Sequence, residues 1–129
     1  MHTLLTFLLF LAAADPAAVL ESSYVGRDYE PTADSKSELW SAAPHVIADR
    51  NYLGKPIPGA PTEIRSRWSG MYLYLLFICP YDELNLKPDP TPAAETPELW
   101  KWDVAEAFIG SDFEHIARYK ELQVSPQRE

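Results

Sequence analysis

The run Met71-Tyr-Leu-Tyr-Leu-Leu-Phe-Ile-Cys79 is the feature that most constrains this chain. Leu, Tyr, Phe and Ile suit a pleated, packed surface. A half-exposed strand would alternate with polar residues, but this run is apolar on both faces. It therefore belongs in a central strand, covered on both sides or carrying an aromatic face. Met71, Leu73, Leu75, Phe77 and Cys79 share one parity, while Tyr72 and Tyr74 place hydroxyl-bearing rings on the other. The stretch 80–97 then holds Pro80, Pro88, Pro90, Pro92 and Pro97, which excludes a regular element. A loop of this length inside a compact domain is functional or mobile.

Around this run the punctuation is that of a β-protein. Thr62–Trp68 alternates as a strand, and Ser69-Gly70 is a two-residue hairpin turn into Met71. His45–Ile47 is a brief strand, and Asp103–Gly110 and Arg118–Ser125 are the last two. Ser111–Ala117 between them is a turn of helix with Ser111 or Asp112 as N-cap. Asn51–Pro61, with two glycines and three prolines, is a loop. Ser37–Ala43 is a short helical turn or an irregular approach, with Trp40 as a core plug. Residues 15–38 are polar and mixed, and read as a linker.

At 129 residues the chain is one domain at most, and its 47% hydrophobic content is enough for a core. The formal charge of −8 without a lysine or arginine cluster makes nucleic acid an unsuitable partner, because phosphates would be repelled. Leu4–Ala14 is an apolar run of eleven residues ending in Ala12-Ala13-Ala14, directly before Asp15-Pro16. It is too short for a stable membrane anchor and suits a secretory signal, although its n-region holds only His2. The expected organisation is thus signal peptide 1–14, linker 15–38 and domain 39–129. The location is secreted or periplasmic, with no membrane association after cleavage. Cys79, the single cysteine, is expected to be a small buried hydrophobe.

If the chain is extended from Trp100, then Trp100, Trp102, Val104, Glu106 and Phe108 line one face of a strand. Lys101, Asp103, Ala105, Ala107 and Ile109 line the other, whose small and branched residues suit packing on a second sheet. Aromatic rings beside a carboxylate are what a sugar requires: C–H patches of pyranose rings stack on tryptophan, and hydroxyls need acceptors. Asp103 and Glu106, three apart on a strand, point to opposite faces and make a poor glycosidase pair. Asp82, Asp89, Asp103 and Asp112 are hard oxygen ligands of the type a structural calcium takes, but no loop shows a regular ligand spacing. His2, His45 and His115 have no zinc spacing, and phosphate loops and nucleophile elbows are missing.

The order Leu73-Tyr-x-x-Phe77, then Trp100-x-x-Asp103-x-x-Glu106, then Tyr119-x-x-x-x-Val124 resembles the family 9 carbohydrate-binding modules. The resemblance covers roughly the last 90 residues, with a weaker match around Trp40. It implies an all-β, immunoglobulin-like or jelly-roll-type β-sandwich that holds a neutral oligo- or polysaccharide and does no chemistry. Carried over by position, Trp100 is one wall of a slot for a terminal sugar, Glu106 accepts hydroxyl protons and Asp103 is structural. Trp102 is an added wall or a core ring. The family's arginine in the following strand falls on Gln123, which keeps hydrogen bonding without the charge. The second tryptophan wall belongs to a half of the module that this chain lacks.

About five strands lie between His45 and Ser125, and a two-sheet sandwich of this kind needs roughly twice as many. The expectation is therefore a sandwich truncated at its C-terminus, prone to self-association through unpaired strands. Two alternatives stand beside sugar binding: an extracytoplasmic protein-interaction domain, and a haem-holding sandwich with Met71 or His115 as axial ligand.

Overall fold

The computed structural model describes residues 19–51, 53–91 and 93–127. Among these the protein is all-β, as expected. Its strands are β1 (Ser23–Tyr24), β2 (His45–Ala48), β3 (Thr62–Trp68), β4 (Leu73–Ile78), β5 (Ala105–Ile109) and β6 (Lys120–Val124). The only helical element among the described residues is a 3₁₀ turn, Leu99–Lys101. The expected signal, residues 1–14, lies outside the described residues.

Strand β3 organises the first sheet. From Glu63 onward it pairs antiparallel with β4, from Glu63↔Ile78 to Trp68↔Leu73. Its other edge is shared: β2 takes Thr62–Arg65 antiparallel, and β1 takes Arg67–Trp68 parallel. The central strand is thus the charged Thr62–Trp68, and the apolar β4 is an edge strand, contrary to expectation. What makes β4 apolar on both faces is packing above and below the sheet.

On one face Tyr74 and Leu76 join Val25, Leu39, Trp40 and Ala43 in the core. The turn 37–43 delivers Leu39 and Trp40, 1% and 2% exposed, so Trp40 is the plug its sequence promised. The Trp40 indole N–H donates to the Thr32 carbonyl at 2.7 Å, and the Tyr74 hydroxyl accepts the Tyr29 amide at 2.9 Å, so both rings bury with their polar atoms satisfied.

Arg65 explains how a charged strand can be central. Its Nη1 donates to the carbonyls of Ser35 (3.0 Å) and Trp40 (2.8 Å), and its Nε donates to Glu63 at 2.6 Å. The guanidinium therefore ties β3 to the Ser35 and Trp40 carbonyls of the preceding segment.

Several expectations are corrected. Part of the predicted linker belongs to the fold: β1 pairs with β3, Val25 is in the core, and Tyr29 packs against it. Glu38 accepts from the Tyr29 hydroxyl (2.8 Å) and from Arg27 (2.6 Å), an arrangement in which Tyr29 and then Glu38 push the Arg27 guanidinium still higher than usual. The β3–β4 turn is one residue later than read. Ser69 and Tyr72 close it with a 2.8 Å backbone bond around Gly70-Met71, and Ser69 Oγ accepts both following amides, from Met71 and Tyr72. Cys79 is exposed, because the strand stops at Ile78 and Pro80 turns the chain away from the sheet.

Strands β5 and β6 form a separate two-stranded sheet, paired from Ala105↔Val124 to Ile109↔Lys120. Its Ala105, Ala107, Ile109, Leu122 and Val124 share with Leu73, Leu75 and Phe77 of β4 an apolar cleft of about 260 Å³. The expected division of β5 into a small, branched face and an outward face carrying Glu106 and Phe108 is therefore found. The connection 111–117 is a capped turn without a helix. Asp112 Oδ1 accepts from the amides of Glu114 (3.2 Å) and His115 (3.1 Å), so Asp112 rather than Ser111 is the cap.

Candidate functional site

The tryptophans do not lie on a strand. After Pro97 the chain takes a left-handed step at Glu98 (φ 58°), and Lys101 and Trp102 then donate to the carbonyls of Glu98 and Leu99 at 3.0 and 3.1 Å. Extended pairing begins only at Ala105, so the strand alternation assumed from Trp100 onward fails for both tryptophans. Leu99, 4% exposed, anchors the turn, and that anchoring turns its neighbour Trp100 outward, 57% exposed. The Lys101 ammonium is 2.5 Å from Glu98 Oε2 and 5.8 Å from the Trp100 ring centre, and so reinforces this geometry.

Trp100 and Trp102 are walls of a wide cleft of about 1660 Å³ that opens along β4. Tyr74 and Leu76 of β4 also line it, as do Tyr81 and Glu83 of the proline-rich loop. Its charged lining consists of Glu83 and Asp103, with no lysine, arginine or histidine among the described lining residues. Asp103 is fixed by structure. Its Oδ2 accepts the Asn85 amide (2.8 Å) and its own amide donates to the Asn85 carbonyl (2.9 Å), which ties the loop 80–97 to the approach of β5.

Glu106 and Gln123 are together, but elsewhere. They are cross-strand partners on the hairpin, and Gln123, which also borders the smaller cleft against β4, donates from Nε2 to Glu106 Oε1 at 2.7 Å. The same nitrogen is 2.7 Å from Glu121 Oε1. Neither Glu106 nor Gln123 lines the tryptophan cleft. The structure therefore separates the four predicted site residues into two pairs, Trp100 with Trp102 and Glu106 with Gln123. Tyr81 and Glu83 were not among the predicted site residues. Their only sequence signal was their place just after a strand, at the head of a long loop.

The remaining candidates are dispersed. Met71 is 75% exposed in the β3–β4 turn, and His115 Nδ1 is 2.9 Å from Asp112 Oδ2. Among the described residues no three His, Cys, Asp or Glu stand close enough to hold a metal ion, and no helix is long and apolar enough to cross a membrane. Comparison with protein-family models, with curated proteins and with solved structures finds no match to this chain.

Proposed function

We propose that this protein is a non-catalytic, exported carbohydrate-binding domain, a β-sandwich of the kind seen in family 9 modules. The observation that carries the reading is the cleft in which Trp100, Trp102 and Tyr81 stand with Glu83 and Asp103 as the charged lining among the described residues. Rings give stacking surface for pyranose C–H patches, and Glu83 supplies acceptor oxygens for hydroxyls. Asp103, already engaged by Asn85, positions the wall. Glu106 and Gln123, bonded to each other outside the cleft, have no direct part in this version of the site. The ligand class is a neutral β-linked glucan or xylan end.

Titration with such oligosaccharides, followed by tryptophan fluorescence, tests the reading. A saturable response is expected that Trp100→Ala removes while the thermal melt is retained. A Trp100→Ala protein that binds as well as the parent would sink the site. Export rests on Leu4–Ala14, and mass spectrometry of protein from a secreting host should find a mature N-terminus near Asp15. Intact Met1 in the cytoplasmic fraction would refute it.

A further inference from the structure

Strand β4 has one edge occupied by β3. Which of its backbone groups face the other edge follows from the turn. Ser69 and Tyr72 are a hydrogen-bonded pair, and bonded and non-bonded pairs alternate along an antiparallel ladder. Tyr74, Leu76 and Ile78, opposite Arg67, Arg65 and Glu63, therefore direct their N–H and C=O groups toward β3. Leu73, Leu75 and Phe77 direct theirs outward, and no backbone bond links them to any other described segment. The outward edge opens into the wide cleft, which successive residues from Leu73 to Phe77 line, so a strand seated on it competes with a sugar for the same space.

The other strands have the usual protections against edge pairing. β1 is two residues long, β2 is four and follows Pro44, β5 carries Glu106, and β6 carries Lys120 and Glu121. The β4 edge alone has six residues without a charge or proline.

We propose that the protein self-associates by antiparallel pairing of β4 with β4 of a second copy about a two-fold axis at Leu75. A second copy suits this edge because the edge is self-complementary. Side chains keep their faces only in registers that pair residues of like parity. The register centred on Leu75 sets Leu75 against Leu75, Leu73 against Phe77 and Tyr74 against Leu76. In it every outward donor of Leu73, Leu75 and Phe77 meets an outward acceptor of the other copy, about six hydrogen bonds in all. The cross-strand neighbours are all aliphatic or aromatic, so no charge is set against itself. Each copy carries −8, which opposes the encounter, and salt that screens this repulsion favours the dimer.

Sedimentation over a concentration series, with residue-resolved amide exchange on the same samples, tests the proposal. The expected result is a concentration-dependent doubling of mass, reached at lower concentration in higher salt. Over the same range the Leu73, Leu75 and Phe77 amides slow at least tenfold, while Tyr74, Leu76 and Ile78 are slow throughout. Leu75→Pro removes an outward donor and leaves the β3 ladder its bonds, so it is expected to remain monomeric where the parent is dimeric. A single-copy mass at every concentration would overturn the proposal. So would association that leaves the Leu73, Leu75 and Phe77 amides as fast as in the monomer, since the contact would then lie elsewhere.

Discussion

Asn85 and Asp103 form a reciprocal pair, in which each main-chain amide is satisfied by the other residue, at 2.8 and 2.9 Å. This clasp joins the proline-rich loop to the wall that carries Trp100 and Trp102. It gives the loop a fixed side where it borders the cleft.

Removal of the side-chain half of that clasp should loosen the loop without unfolding the sheet. Asp103→Ala is expected to cost about 1 kcal/mol, one exposed hydrogen bond. The Asn85 amide should exchange faster, and the sugar response should weaken because Trp100 and Trp102 lose their brace. An unchanged Asn85 exchange rate would show that the backbone bond alone holds the loop.

Arg65→Ala should be among the more damaging single changes. It takes the Arg65 donor from the Ser35 and Trp40 carbonyls, leaving Trp40 only the Ala43 amide, and leaves Glu63 without its cation, in a site where the two side chains are 17% and 27% exposed. A loss of about 2 to 3 kcal/mol in urea denaturation is expected. Arg65→Lys should recover only part of it, because one ammonium cannot span both carbonyls and the carboxylate.

Gln123→Arg places a cation opposite Glu106 and beside Glu121 on the hairpin's outward face. The hairpin should gain about 0.5 kcal/mol, the usual yield of an exposed cross-strand ion pair. The sugar response should not change. Tighter sugar binding by this variant would return Glu106 and Gln123 to the binding site.

Cys79, just past the end of β4, should react with a thiol reagent in the native protein nearly as fast as in denaturant. Cys79→Ser should change stability by less than about 0.5 kcal/mol, as at other surface positions. A thiol protected until unfolding would contradict its exposure.

The positions of β2 to β6 were legible because they depend on local signals, whereas β1 fell in the expected linker. The alternation of Thr62–Trp68 and the turn chemistry at Ser69 mark β3 and β4, and the small residues Ala105 and Ala107 mark the inner face of β5. Which strand is central was not legible. Hydrophobicity pointed to β4, but its apolar faces are met by the 37–43 turn and the hairpin, whereas strand order is set by β1 and β2 docking on β3. The role of Arg65 was not legible, because its acceptors lie 25 and 30 positions away in sequence. At the candidate site, aromatic content was readable and geometry was not. The step at Glu98 breaks the alternation that would have put Trp100 on the face of Glu106.

The shared edge of β3 has a consequence for the order of assembly. Hairpin β3–β4 is closed by a tight turn, so it can form early and alone. Strand β1 can dock only once that hairpin offers an edge, and the Ser66–Ser22 hydroxyl bond beside it spans 44 positions of chain. The β1 segment is thus a late clasp, with two ladder pairs and the burial of Val25 to hold it. Closing so long a loop for so few contacts makes its release the lowest-energy opening of the first sheet. A protease would enter the fold there, ahead of Val25, while β3 and β4 were still paired.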